Sequence, residues 1–172
     1  LRQEADLMLL ADSVREELCW NNKKISEVEL QIMLKKIGLE NYAGDFPLAL
    51  SKGQRLRVIL SAVLMQKPKL LLLDEPTTGQ DQQSLEEIKK LLCAYAEDGG
   101  SVFFCTHDVE LASEIADSVI LMNDGQIIAD DITSKVLTDR NYLKLCGLKA
   151  PAMLDVTDLL HIRPLLTAKE VA

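Results

Sequence analysis

Asp74 and Glu75 stand side by side after four consecutive leucines, Leu70 to Leu73, and Pro76 follows them. The leucine run is too short for a helix of its own and predicts a buried strand, so both carboxylates emerge at a strand's C-terminal end. Open α/β sheets bind ligands at that edge. In a nucleotide hydrolase the first acid of such a pair holds Mg²⁺, directly or through water, and the second orients or deprotonates the attacking water. An acidic pair at a strand end also serves simply to cap the next helix. Leu50-Ser51-Lys52-Gly53-Gln54 precedes a helical stretch and brings a hydroxyl, flexible backbone and unpaired N–H groups to a helix N-terminus, which makes an anion site. Ser51 acting as an ordinary N-cap is the plainer reading of the same residues. Lys52 and Arg55 add positive charge beside it. Cys105-Thr106-His107-Asp108 puts an imidazole at the same sheet edge as Asp74 and Glu75 if their strands are parallel neighbours. Neutral imidazole both donates to a phosphate oxygen and accepts from water. His161 has no supporting acids and reads as incidental.

The elements that must position these groups follow from periodicity. Residues 13–18 and 26–38 carry helical spacing, the second through Val28, Leu30, Ile32, Leu34 and Ile37, with Ser26 and Glu29 as a capping box. Gly53 to Met65 predicts a helix that Pro68 closes off before the leucine strand. Asp81 to Ala96 is amphipathic through Leu85, Ile88, Leu91 and Leu92 and ends at Gly99-Gly100. Ser101 to Cys105 predicts a second strand and residues 108–116 a helix. Val119 to Met122 and Gln126 to Ala129 predict a hairpin around Asn123-Asp124-Gly125. From Ile132 onward the chain reads as short helical pieces broken at Pro151 and Pro164. Strands alternating with helices imply an α/β domain with a partly parallel sheet.

Composition removes several classes of function. The 172 residues carry a net charge of -8 and are 48% hydrophobic, enough for a globular core and against disorder. The acidic balance argues against nucleic acid as a partner, because phosphate neutralisation needs a basic face. The four cysteines, Cys19, Cys93, Cys105 and Cys146, show no C-x-x-C and no paired histidine, so neither a zinc nor a redox motif is indicated. No apolar stretch approaches the ~18 residues of a membrane span, and the first residues given lack the basic, apolar and cleavage regions of a signal peptide.

The order of these groups resembles the C-terminal part of an ABC-type ATPase (nucleotide-binding) domain. Leu50 to Gln54 is similar to the signature motif, Leu70 to Glu75 to Walker B, Thr78 to Asp81 to the D-loop, and His107 to the switch histidine. Arg2-Gln3-Glu4 followed by Ser13 to Leu18 resembles the Q-loop segment and the helix after it. The SKGQR, DEPTTGQD and SVREEL segments and the RPLLTAKEVA tail are similar to ATPase subunits of energy-coupling-factor transporters, which import vitamins or cobalt and nickel ions. Lys52 stands where that family usually has glycine, and Leu7 to Leu10 lack its polar and aromatic residues.

The resemblance implies a P-loop NTPase-like α/β domain lacking its N-terminal P-loop part, with a helical subdomain and a short C-terminal helical extension. Residues 1–66 would hold the Q-loop segment, helical subdomain and signature helix, 67–130 the second part of the catalytic core, and 131–172 the extension. No G-x-x-x-x-G-K-[ST] occurs, and that phosphate cradle would lie upstream of Gln3; the start at Leu1 without Met fits such a truncated domain. By the same resemblance Asp74 holds Mg²⁺, Glu75 polarises the attacking water and His107 contacts the γ-phosphate of ATP. Gln3 would contact Mg²⁺ or that water. Ser51, Lys52, Gly53 and Gln54 would face the ATP held by a second ATPase subunit, with Asp81 at the dimer interface. A transmembrane coupling subunit would be the other partner, placing the chain peripherally on the cytoplasmic face of the cell membrane. The isolated chain is expected to be inactive, and the alternative function is a noncatalytic module that lends its signature face to a partner ATPase. The leucine strand, without upstream neighbours, is expected to leave an apolar surface.

Overall fold

The computed structural model describes residues 5–20 and 24–167, which divide after Cys105 into two compact units. In the first, Ser13 caps α1 (Val14–Leu18) by accepting from the Glu16 N–H. Glu17 is buried on α1, and its Oε2 accepts the N–H groups of Leu10 and Ala11, both at 2.8 Å. A buried carboxylate needs such donors, and here it ties down the segment leading into the helix.

The capping box of Ser26 and Glu29 opens α2 (Glu27–Lys36) as the sequence predicts. Leu30, Leu34 and Ile37 are buried at i, i+4 and i+7, whereas Val28 and Ile32 are 68% and 62% exposed. The apolar stripe is therefore narrower than the five-residue pattern suggested, because Val28 and Ile32 fall on a separate flank of the helical wheel. Helix α3 (Lys52–Leu64) begins one residue before the expected Gly53, since Ser51 is its cap. It packs against α1 and α4 and buries Leu56, Val58, Ile59, Leu60 and Leu64. Arg57 is buried on the same helix, where it donates to the Ile37 carbonyl at 3.0 Å and pairs with Glu87. Burial holds its pKa below the ordinary arginine value, with Asp81 pulling the other way.

β1 (Leu70–Asp74) pairs in parallel with β2 (Ser101–Cys105), in register from Leu70 opposite Ser101 to Asp74 opposite Cys105. Between them α4 (Gln82–Glu97) crosses back and packs on β2, ending at Gly99, whose φ of +89° suits glycine. Only alternate leucines of β1 are buried. Leu71 and Leu73 are covered, but Leu70 and Leu72 are 53% and 58% exposed, with Phe103 open opposite Leu72. The expected fully buried strand is thus half-buried, because among the described residues its sheet has two strands with one face covered.

The second unit starts with α5 (Val109–Ile115), capped by Asp108. β3 (Ser118–Asn123) and β4 (Gln126–Ile132) form an antiparallel hairpin of their own. Asp124 and Gly125 turn it with φ of +47° and +75°, the left-handed pair that a tight two-residue turn requires. Three short helices follow: α6 (Thr133–Val136), α7 (Arg140–Leu145) and α8 (Ala152–Leu160). Leu121, Val136, Leu137, Leu143, Leu154 and Leu166 make this unit's core. No helix among the described residues is long and apolar enough to cross a membrane.

Candidate functional site

The acidic pair sits where the parallel ladder ends. Asp74 is the last residue of β1 and is exposed, and Glu75 continues the pairing by donating its N–H to the Cys105 carbonyl at 2.9 Å. Glu75 is half-buried and adopts φ +46°, a left-handed conformation that costs a non-glycine residue on the order of 1–2 kcal/mol. Two short-range bonds hold it in that turn. The Thr78 N–H donates to the Glu75 carbonyl at 3.3 Å, and the Thr78 hydroxyl donates to Glu75 Oε2 at 3.1 Å. A second turn, closed by the Gln80 N–H on the Thr77 carbonyl at 3.1 Å, leads to Asp81. Asp81 caps α4 by accepting from the Ser84 N–H at 2.8 Å, and this bond above all holds its carboxyl below the usual range.

The 51–54 turn is a complete capping box. Ser51 Oγ accepts from the Gln54 N–H at 3.3 Å, and Gln54 Oε1 accepts from the Ser51 N–H at 2.9 Å. The plainer reading of Ser51 as an N-cap is realised, and it leaves the Lys52 and Gly53 N–H groups beyond reach of intrahelical acceptors. No acidic residue stands in this first turn, which favours an anion at the helix N-terminus. Gly53 is buried: a Cβ placed on it would overlap Ser84 Oγ and come within 2.7 Å of Ser84 Cβ. Lys52 Nζ reaches across Gly79, whose φ is +71°, and donates to the Thr78 carbonyl at 3.2 Å. The turn at the head of α3 and the turn after β1 are therefore directly bonded.

No group of three or more His, Cys, Asp or Glu side chains among the described residues could cage a metal alone. The exposed Asp74 beside Glu75 fits Mg²⁺ nonetheless, because that ion is held by one or two carboxylates with phosphate and water completing its shell. His107 is exposed and lies two residues past β2, in the second unit. Gln3 lies outside the described residues. The sequence reading did not give Thr78, Gln80 and Ser84 roles of their own. Thr78 follows Glu75 by three, a spacing that lets its hydroxyl reach the Glu75 carboxylate within one turn, which was a readable signal. Ser84 carried none, since its contact with Gly53 joins separate helices.

Solved structures of ABC-type ATPases share this fold. The chain superimposes on cbiO1 from Clostridium perfringens, part of the ABC transporter complex cbiONQ, with a TM-score of 0.69 and 30% identity over 92% of this chain and 64% of that one. A putative metal-chelate type ABC transporter in an inward-facing conformation gives a TM-score of 0.67 and 25% identity, over 80% of this chain and 59% of that one. The ABC transporter family matches residues 1–78. A putative ABC transporter ATP-binding protein of Methanosarcina mazei is 37% identical across 93% of this chain and 28% of its own length. The energy-coupling factor transporter ATP-binding protein EcfA of Methanothermobacter thermautotrophicus is 30% identical across 93% and 53%. The chain thus spans about half or less of the length of these curated relatives. It groups with the ATP-binding proteins of ABC transporters, with energy-coupling factor ATPases among its relatives.

Proposed function

We propose that the chain works as part of the ATP-hydrolysing subunit of an energy-coupling-factor type importer, on the cytoplasmic face of the membrane, with a second ATPase subunit and a transmembrane coupling subunit as partners. The observation that carries this reading is the bonded pair of turns: an acid-free helix N-terminus at 51–54 joined to the turn that bears Asp74 and Glu75. Asp74, exposed at the strand end, would hold Mg²⁺, which would supply charge neutralisation at the phosphates. Glu75 orients the attacking water and accepts its proton. Ser51, Gly53 and Gln54 present backbone and side-chain donors to the γ-phosphate of ATP carried by the second subunit. Asp81 lies at the interface between subunits, and His107 and Gln3 contact the γ-phosphate and the Mg²⁺ or water.

Residues 1–172 contain no P-loop motif, so the cradle for the β- and γ-phosphates has to come from outside them. Calorimetry of this chain with Mg-ATP is expected to show weak or no binding; tight binding would remove that assignment. The decisive variant is Glu75→Gln in the assembled transporter ATPase. Turnover falls by about 10²- to 10⁴-fold, the contribution of a positioned general base, while ATP binding persists. Unchanged hydrolysis would take Glu75 out of its role. An assembly in which this chain binds its partners but Glu75→Gln and the native residue turn over equally would point instead to the noncatalytic module.

A further inference from the structure

The helix that follows His107 is too short to hold its own place. α5 has seven residues, and isolated helices below about 12 residues are marginal in water, so its position depends on what it touches. Two bonds fasten the His107 turn to its head. The Asp108 N–H donates to Thr106 Oγ1 at 3.0 Å, and Asp108 Oδ1 accepts from the Leu111 N–H at 3.0 Å. Val109 and Ala112 then pack on the same core as Leu154 of α8. The first turn of α5 has one more tie: Glu110 reaches 42 positions along the chain, and its Oε1 accepts the Ala152 N–H at 2.5 Å. Ala152 opens α8, whose N-cap is Pro151 and has no side chain to accept an orphan N–H. Glu110 therefore caps α8 from another helix, with its charge at the positive end of that helix. We propose that Glu110 is a positioning residue for His107: it locks the head of α5 to the head of α8, so that the C-terminal helices set where the imidazole stands. This rests on the role given to His107 above and adds a residue that holds it in place.

The kinds of contact explain why one bond matters here. The first turn of α5 carries His107, Asp108 and Glu110 together. Apolar packing of Val109 and Ala112 holds the helix against the core but is non-directional, so it restrains rotation weakly. The Glu110 bond is directional and lies at the end of α5 nearest the imidazole in sequence. Its loss lets α5 turn on its apolar contacts and displaces the first turn. α8 is held by other means as well, since Arg140 of α7 binds Asp155 at 2.8 Å and Asp158 at 2.6 Å, and Leu154 and Thr157 are buried. It is a fixed post against which Glu110 can pull. A displacement on the order of 1 Å at a group that meets developing charge lowers turnover while ground-state binding persists.

Glu110 is exposed, so its substitution leaves the core intact. In NMR of the 172-residue chain at fixed pH, Glu110→Ala is expected to speed exchange of the Ala152 amide about tenfold, the loss of one charge-assisted bond, and to shift the His107 imidazole resonances. Glu110→Gln keeps an acceptor oxygen at the same reach and returns both toward native values. Arg140→Met loosens α8 without touching α5, and His107 keeps its native resonances. In the transporter ATPase, Glu110→Ala lowers kcat about tenfold with the KM for ATP unaltered, Glu110→Gln recovers most of it, and Arg140→Met turns over as the native chain does. Native His107 resonances in Glu110→Ala overturn the proposal. So does an equal shift in Glu110→Gln, which would trace to the lost charge alone. Equal shifts in Glu110→Ala and Arg140→Met overturn the part given to Glu110 and assign the effect to the stability of the C-terminal helices. Shifted resonances with native kcat overturn the link to turnover. If the native assembly hydrolyses no ATP, the functional reading fails, and the resonances still decide whether Glu110 holds the His107 turn.

Discussion

The heads of α2 and α3 are built from the same local device, a serine N-cap with a reciprocal bond from the third helical residue, and they differ in everything outside it. At α2 the third residue is Glu29, and Glu27 adds a second carboxylate to the first turn. At α3 it is the uncharged Gln54, flanked by Lys52 and Arg55, with no acid in the turn. The second helical position is Val28 at α2, 68% exposed, and Gly53 at α3, buried against Ser84. A capping box by itself is therefore structural. Charge and close approach to a neighbouring helix are what set the 51–54 turn apart and support the anion site proposed there.

Gly53 is the place where this contrast breaks most sharply. Gly53→Leu forces a side chain into Ser84 and is expected to cost about 3 kcal/mol in denaturant unfolding, at the upper end of core overpacking. Val28→Ala, the matching position at α2, changes stability within about 0.5 kcal/mol. Equal costs at the two positions would mean that Gly53 is not packed as described. Removing the caps themselves has a smaller and more even effect. Ser26→Ala and Ser51→Ala each lose about 1 kcal/mol of stability, but only Ser51→Ala should also weaken nucleotide-dependent association of the ATPase subunits.

Acid separates the two boxes with the least disturbance. The Ser26 N–H and hydroxyl hold the Glu29 carboxyl below its ordinary pKa, and the Arg15 guanidinium, bonded at 2.6 and 3.0 Å, draws Glu27 down to about 2. Folded values below the unfolded one mean that their stabilisation is complete above about pH 4.3 and is lost as pH falls toward about 2. Gln54 does not titrate. Amide exchange between about pH 4 and pH 2 should therefore show protection fading at the Ser26 N–H, held by the Glu29 carboxylate, before the Ser51 N–H, held by Gln54 Oε1; simultaneous loss at both would place the transition in global unfolding.

Much of the fold was readable because its signals are local. The caps at Ser26 and Ser51, the turn at Asp124-Gly125 and the strands 70–74 and 101–105 each depend on neighbours within a few residues or on short apolar runs. The expected apolar surface on the leucine strand is also present, as Leu70, Leu72 and Phe103. The narrower stripe on α2 was not readable, since Val28 and Ile32 satisfy helical spacing and only the packing partners decide which flank is covered. Glu17 gave no sign that it would bury its carboxylate beneath the N–H groups of Leu10 and Ala11.

By itself the sequence determined which groups the chain offers and their order: a serine-headed helix, two acids after a leucine strand, an aspartate at the start of an amphipathic stretch and a histidine beyond the second strand. Hydrogen bonds within a turn and the periodicity of one element are written in adjacent residues, so those features needed no third dimension. Tertiary structure alone decided that Gly53 must be glycine and that Lys52 turns to the Thr78 carbonyl. These contacts join residues up to 31 positions apart, from Gly53 to Ser84, and only the packing of α3 against α4 brings them within bonding distance.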